Sequence, residues 1–87
     1  MERLELDVRG LNHPEPLERS VEMMRRLESE KVLHLFIHRY PTPLLMIAEK
    51  QGVRYASCET KEGEWHILFT KDPAADLEKI LSEYCDV

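Results

Sequence analysis

Residues 4–8, Leu-Glu-Leu-Asp-Val, alternate apolar and acidic positions. A period of two predicts a strand with Leu4, Leu6 and Val8 on its buried face. Arg9-Gly10 breaks the alternation. Pro14 suits the first turn of a helix, where its missing N–H costs nothing, and Pro16 is tolerated in the same turn. Leu17, Val21, Met24 and Leu27 then recur at helical spacing, with Arg19, Glu22, Arg25, Arg26 and Glu28 on the solvated side. The pattern predicts a helix over about residues 14–29.

Residues 31–38, KVLHLFIH, are dense in strand formers. Leu33, Leu35 and Ile37 take one face; Val32, His34, Phe36 and His38 take the other. Tyr40-Pro41-Thr42-Pro43 stops this strand and starts a helix, with Thr42 as its N-cap and Pro43 as its first residue. Leu44, Ile47 and Ala48 face a core, and Gly52 ends the helix. Val53–Thr60 and Glu64–Lys71 read as two strands joined through Lys61-Glu62-Gly63 as a hairpin. Asp72 caps and Pro73 opens a last helix with the stripe Leu77, Ile80, Leu81 and Tyr84. The order is β-α-β-α-β-β-α.

Strands joined through a helix run parallel with a right-handed crossover, and the hairpin makes the fourth strand antiparallel. The expected fold is α+β, a two-layer α/β sandwich with a mixed four-stranded sheet over residues 1–71. The helix of residues 72–87 packs on the same domain or on a partner. The first two helices bury Leu33, Leu35, Ile37, Trp65, Ile67 and Phe69. The other face carries His34, Phe36, His38, His66 and Leu68, joined by Ala56 and Cys58. That face is too apolar to stay bare, so either the last helix or a second copy of the chain covers it.

Eighty-seven residues make one small domain, and 43% hydrophobic with 33% charged residues fit a folded soluble protein. A net charge of −5 without a basic run disfavours nucleic acid as a partner. No apolar stretch approaches a membrane span or a signal peptide, so the expected compartment is the cytoplasm. Cys58 and Cys85 lack Cys-x-x-Cys spacing and read as two free thiols, small buried hydrophobes suited to a reducing compartment.

The stretch LDVRGLNHPEPLE resembles the start of the TusA/SirA-like sulfur carriers, in which a strand and an Arg-Gly pair lead to Cys-Pro-x-Pro at a helix start. The chain is still more similar to a sister family, the domain of unknown function numbered 2249. The shared pieces are LDVRGL, HPEPLE, RYPTPL, Gly52-Val53-Arg54-Tyr55 and Glu64-Trp65, spanning roughly residues 4–71. The resemblance implies that the fourth strand lies between the second and third. In the sulfur carriers the cysteine before the first proline holds a persulfide. Here that position is His13, and imidazole cannot carry the sulfur. Sulfur transfer by that route is therefore not expected.

His13 reads first as a helix-cap neighbour. Its functional alternative is an anion site at the helix N-terminus, with Arg9 adding charge and Glu15 competing for the positive end. His38 and His66 are expected at one sheet end, directly opposed, with Cβ atoms about 4.5–5.5 Å apart. His13 follows the neighbouring strand, so three histidines could share a metal there. The competing reading makes His38 and His66 half-buried polar partners under the last helix. No catalytic set is assembled, and no cofactor is required beyond that metal. The leading expectation is a non-enzymatic binding or regulatory module using Arg9, His13, Glu15, His38 and Arg39 to hold a protein or small-molecule partner. The alternatives are a metal or metallocofactor site of His13, His38 and His66, or an enzyme or redox partner acting at the same strand end.

Overall fold

The structure, a computed structural model, describes residues 2–12 and 15–85. The elements are β1 (Glu2–Asp7), α1 (Glu15–Arg25), β2 (Lys31–Ile37), α2 (Thr42–Lys50), β3 (Arg54–Glu59), β4 (Trp65–Thr70) and α3 (Leu77–Leu81). The sheet order is β1-β2-β4-β3, with β1 parallel to β2 and β4 antiparallel to both neighbours. The expected α+β fold, including the insertion of β4 between β2 and β3, is the observed one. No described helix is long and apolar enough to cross a membrane.

Strand parity divides the sheet into two faces. Leu4 and Leu6, then Leu33, Leu35 and Ile37, then Trp65, Ile67 and Phe69 meet α1 and α2 in one core with Met24, Leu27, Leu44, Leu45 and Ala48. Leu17 and Val21 pack partly buried on the same layer. Opposite, Leu77 and Leu81 of α3 close on Val32 and Leu68, with Ala56, Cys58, Ile80 and Tyr84 around them. The last helix of this chain therefore covers part of the second face.

The ends of the elements correct several expectations. α1 stops at Arg25, and Leu27 reaches the core from the turn beyond it. Pro41, not Thr42, occupies the N-cap of α2, with no side-chain cap; Thr42 already has helical backbone. Asp72 does not cap α3. Its carboxylate accepts from the Ala74 N–H at 2.9 Å in a local turn, and Asp76 caps the helix by accepting from Lys79 N at 3.2 Å. The bond closes a local Asx turn, and the helix begins only at Leu77. Gly10 (φ 83°) turns the chain out of β1, and Gly52 (φ 72°) follows α2, both in backbone that favours glycine.

Cys58 and Cys85 are not free thiols. They form a disulfide with their Cα atoms 6.4 Å apart, tying the residues after α3 to β3. The spacing along the chain gave no sign of this, because α3 folds back across the sheet to bring the two together.

Candidate functional sites on the two sheet faces

At the carboxyl ends of β1 and β2, the chain leaves the sheet twice to enter α1 and α2. Between these two junctions lies a cleft of about 360 Å³, lined by Leu11, Asn12, Pro16, Leu17, Ser20 and Ile37, and by the run His38–Pro41 with Pro43 and Leu44. The apolar side chains come from the edge of the core, and the polar ones stand around them. Ser20 is buried and gives its hydroxyl proton to the Pro16 carbonyl at 2.7 Å, so it is already engaged. His38, Arg39 and Tyr40 are exposed. Among the described residues Arg39 makes no ion pair. Tyr40 and Trp65 meet edge to face, with centroids 4.7 Å apart, at this wall of the cleft.

The residues expected to act together at this strand end are split. His38 and Arg39 line the cleft. Arg9, two residues past β1, goes to the other face, the one to which the odd positions of β1 point. There its guanidinium lies over the Phe36 ring at 3.8 Å and donates to Asp7 at 2.8 and 3.0 Å and to Glu64 at 3.3 Å. These bonds from Arg9 hold the Asp7 carboxyl down to about 2. Glu15 accepts from Arg19, one helical turn on, at 2.8 and 3.0 Å. His13 lies outside the described residues.

The expected apposition of His38 and His66 does not occur. In the β2–β4 register His66 faces Phe36, and β2 ends at Ile37, so His38 has left the sheet before it could meet a partner. The described residues contain no cluster of three His, Cys, Asp or Glu placed to hold a metal. The half-buried-partner reading applies to His66 but not to His38.

His66 instead meets His34. Register places Glu5 beside His34 and His34 beside Leu68, one row from His66. His34 Nδ1 contacts the Glu5 carboxylate, and His34 Nε2 lies 2.8 Å from His66 Nδ1. Both imidazoles are buried, at 5% and 9% exposure, whereas Glu5 reaches solvent. An ionised Glu5 can only accept, so His34 Nδ1 donates to it. The bond between the rings needs one donor and one acceptor. Either His66 Nδ1–H donates to a neutral His34, or a protonated His34 donates to His66. Burial lowers the pKa of His66 from its ordinary 6.5, and the nearby charges of His34 and Arg9 lower it further against the pull of Glu5 and Glu64. Its surroundings thus disfavour a proton on His66.

Tyr84 roofs this pair. Its ring stacks 4.0 Å from His34 and 5.5 Å from His66, and its hydroxyl accepts from Arg3 at 3.2 Å and donates to Glu5 at 3.4 Å. The sequence pattern had put His34 and His66 on one face. Missing was the register, which shifts the partner of His66 from His38 to the β2 residues before it. The usable signal was parity on β1, which places Glu5 on that same face.

A mixed sheet in this order, with two helices on one face, defines a SirA-like fold. The crystal structure of a SirA-like protein from Desulfitobacterium hafniense superimposes with a TM-score of 0.69 at 18% identity, covering 79% of this chain and 97% of that one. The chain belongs to the family described as uncharacterized conserved protein (DUF2249), whose model matches residues 5–71. No curated protein matches it.

Proposed function

We propose that the chain is a small non-enzymatic binding or regulatory module whose ligand occupies the cleft between the starts of α1 and α2. The cleft itself carries this reading. Its volume of about 360 Å³ lies in the range of small-molecule sites, and its lining joins an apolar floor to a few polar groups. Leu11, Leu17, Ile37 and Leu44 favour a ligand with an apolar body. Arg39 and His38 favour an anionic or hydrogen-bond-accepting end. Ligands of open α/β sheets collect at the carboxyl ends of parallel strands, which is where this cleft opens. In this reading the ligand is met by Asn12, His38, Arg39 and Tyr40, and not by Arg9 and Glu15, which are engaged elsewhere. A cytoplasmic setting belongs to the same reading.

The test is an amide-resolved NMR titration with benzoate and phenyl phosphate, which pair an apolar ring with an anion. Saturable shifts at Leu11, Asn12 and residues 37–43, weakened by Arg39→Ala, are expected. Shifts that do not saturate, or that centre on the α3 face, would remove the cleft from consideration.

A further inference from the structure

We propose that Cys58 and Cys85 form a reversible dithiol–disulfide site whose state decides whether Tyr84 closes over the His34–His66 pair. Three observations converge on this. The disulfide joins β3 to the residue directly after Tyr84. Cys58 stands opposite His66 in the β3–β4 register, so the covalent tie and the histidine pair share one row of the sheet. Both cysteines are only half-buried, within reach of a small thiol.

The rest of the attachment is one short helix with its apolar side on Val32 and Leu68, and the surface-exposed bonds of Tyr84 to Arg3 and Glu5. α3 spans five residues, too short to persist without its contacts. Beyond it, Tyr84 and Cys85 are held by backbone N–H bonds to the Leu81 carbonyl at 2.9 and 3.2 Å, and Glu83 pairs with Arg3 on the surface. The closed state also hides groups that can work. Glu5, His34 and His66 form a hydrogen-bonded chain able to relay a proton, and the Tyr84 ring lies across it. Opening the roof exposes two imidazole rings on a sheet that otherwise stays folded through α1 and α2.

The switching chemistry balances with a small dithiol as reductant. Its thiolate attacks Cys85 Sγ; the protein S–S bond breaks, and Cys58 Sγ leaves with the electron pair and takes up a proton. The second thiolate then attacks the mixed disulfide and releases Cys85 as a thiol. The reagent ends as its own disulfide, two electrons pass to the protein, and the two protons of the dithiol end on the cysteines.

The test uses the full chain, oxidised in a glutathione redox buffer and then reduced with dithiothreitol. The readouts are the histidine ring NMR signals, the Tyr84–His34 ring cross-peaks and far-ultraviolet circular dichroism. The expected result is a disulfide in the oxidised protein, loss of the Tyr84–His34 cross-peaks on reduction, and shifted His34 and His66 signals. His38, on the other face, should not move, and the dichroism should keep its sheet and helix signature. Cys85→Ser should reproduce the reduced pattern, and reoxidation should restore the closed one in the unsubstituted chain. The proposal is overturned if no disulfide forms, if the His34 and His66 signals ignore reduction, or if reduction unfolds the whole chain. The last outcome would make the bond a structural staple.

Discussion

The face of the sheet under α1 and α2 buries a continuous apolar layer from Leu33 to Phe69, closed by two helices of 11 and 9 residues. The face under α3 buries a shorter patch around Val32 and Leu68, beneath a helix of five residues, and then gives way to Glu5, His34 and His66. The first face is secured chiefly by apolar area. The second is secured by less area, a disulfide and a polar chain whose members must each be satisfied. Stability is concentrated under α1 and α2, and the bonded histidine pair and the disulfide lie where local opening costs least.

The sharpest way to break that contrast is to cut one large side chain from each face. Phe69 is fully buried in the main core, and Phe69→Ala should cost about 3–5 kcal/mol in urea denaturation, lost from the whole cooperative transition. Leu81, 6% exposed on the inner side of α3, should cost less on Leu81→Ala, about 2 kcal/mol, because a short helix can settle into the space. Hydrogen exchange should show α3 opening without the sheet in the second variant. Equal global losses from both would mean that the faces form one unit.

That asymmetry was partly legible in the sequence. The alternation of Leu4-Glu5-Leu6 and the odd positions of β2 named the main core, since a half-buried strand writes its face as a period of two. The strand-helix-strand order and the proline-marked helix starts specified the topology. The site was harder to read. Whether His66 meets His38 or Phe36 turns on a register of two residues, which single-strand patterns do not encode. Nor did the pattern show that β2 ends at Ile37, the point that sends His38 into the cleft and leaves His34 inside. The Cys58–Cys85 bond depends on where α3 lands after its turn at Asp72, a tertiary fact with no local spacing.

Acid should find the weaker face first. The pKa of His66 is lowered in the folded chain, chiefly by burial, so the unfolded chain binds the proton more readily. The contribution of the neutral ring is complete above the ordinary value of 6.5 and is lost as the pH falls from there through the lowered folded value. Stability measured by urea midpoint should therefore decline across that window, and His66→Gln should flatten the decline. A profile unchanged by the substitution would detach His66 from the pH response. Asp7 acts at lower pH, since its carboxyl, held at about 2 by Arg9, loses its contribution as the pH falls below 3.8.

The smallest effect belongs to neither face but to the outer surface of α1, and it serves as the baseline for the others. Arg19 and Glu15 are joined across one helical turn, with half of each side chain in solvent. Water and salt screen such a pair, and ordering two long side chains offsets much of the attraction. Arg19→Ala should therefore change stability by about 0.3–0.5 kcal/mol, and raising the salt concentration should shrink even that difference. A larger, salt-resistant loss would mean that Glu15 holds the start of α1 against the cleft rather than decorating the helix surface. In that case the cleft would have a structural support that its lining residues alone do not reveal, and titration of Arg19→Ala with benzoate would show weakened shifts at Asn12.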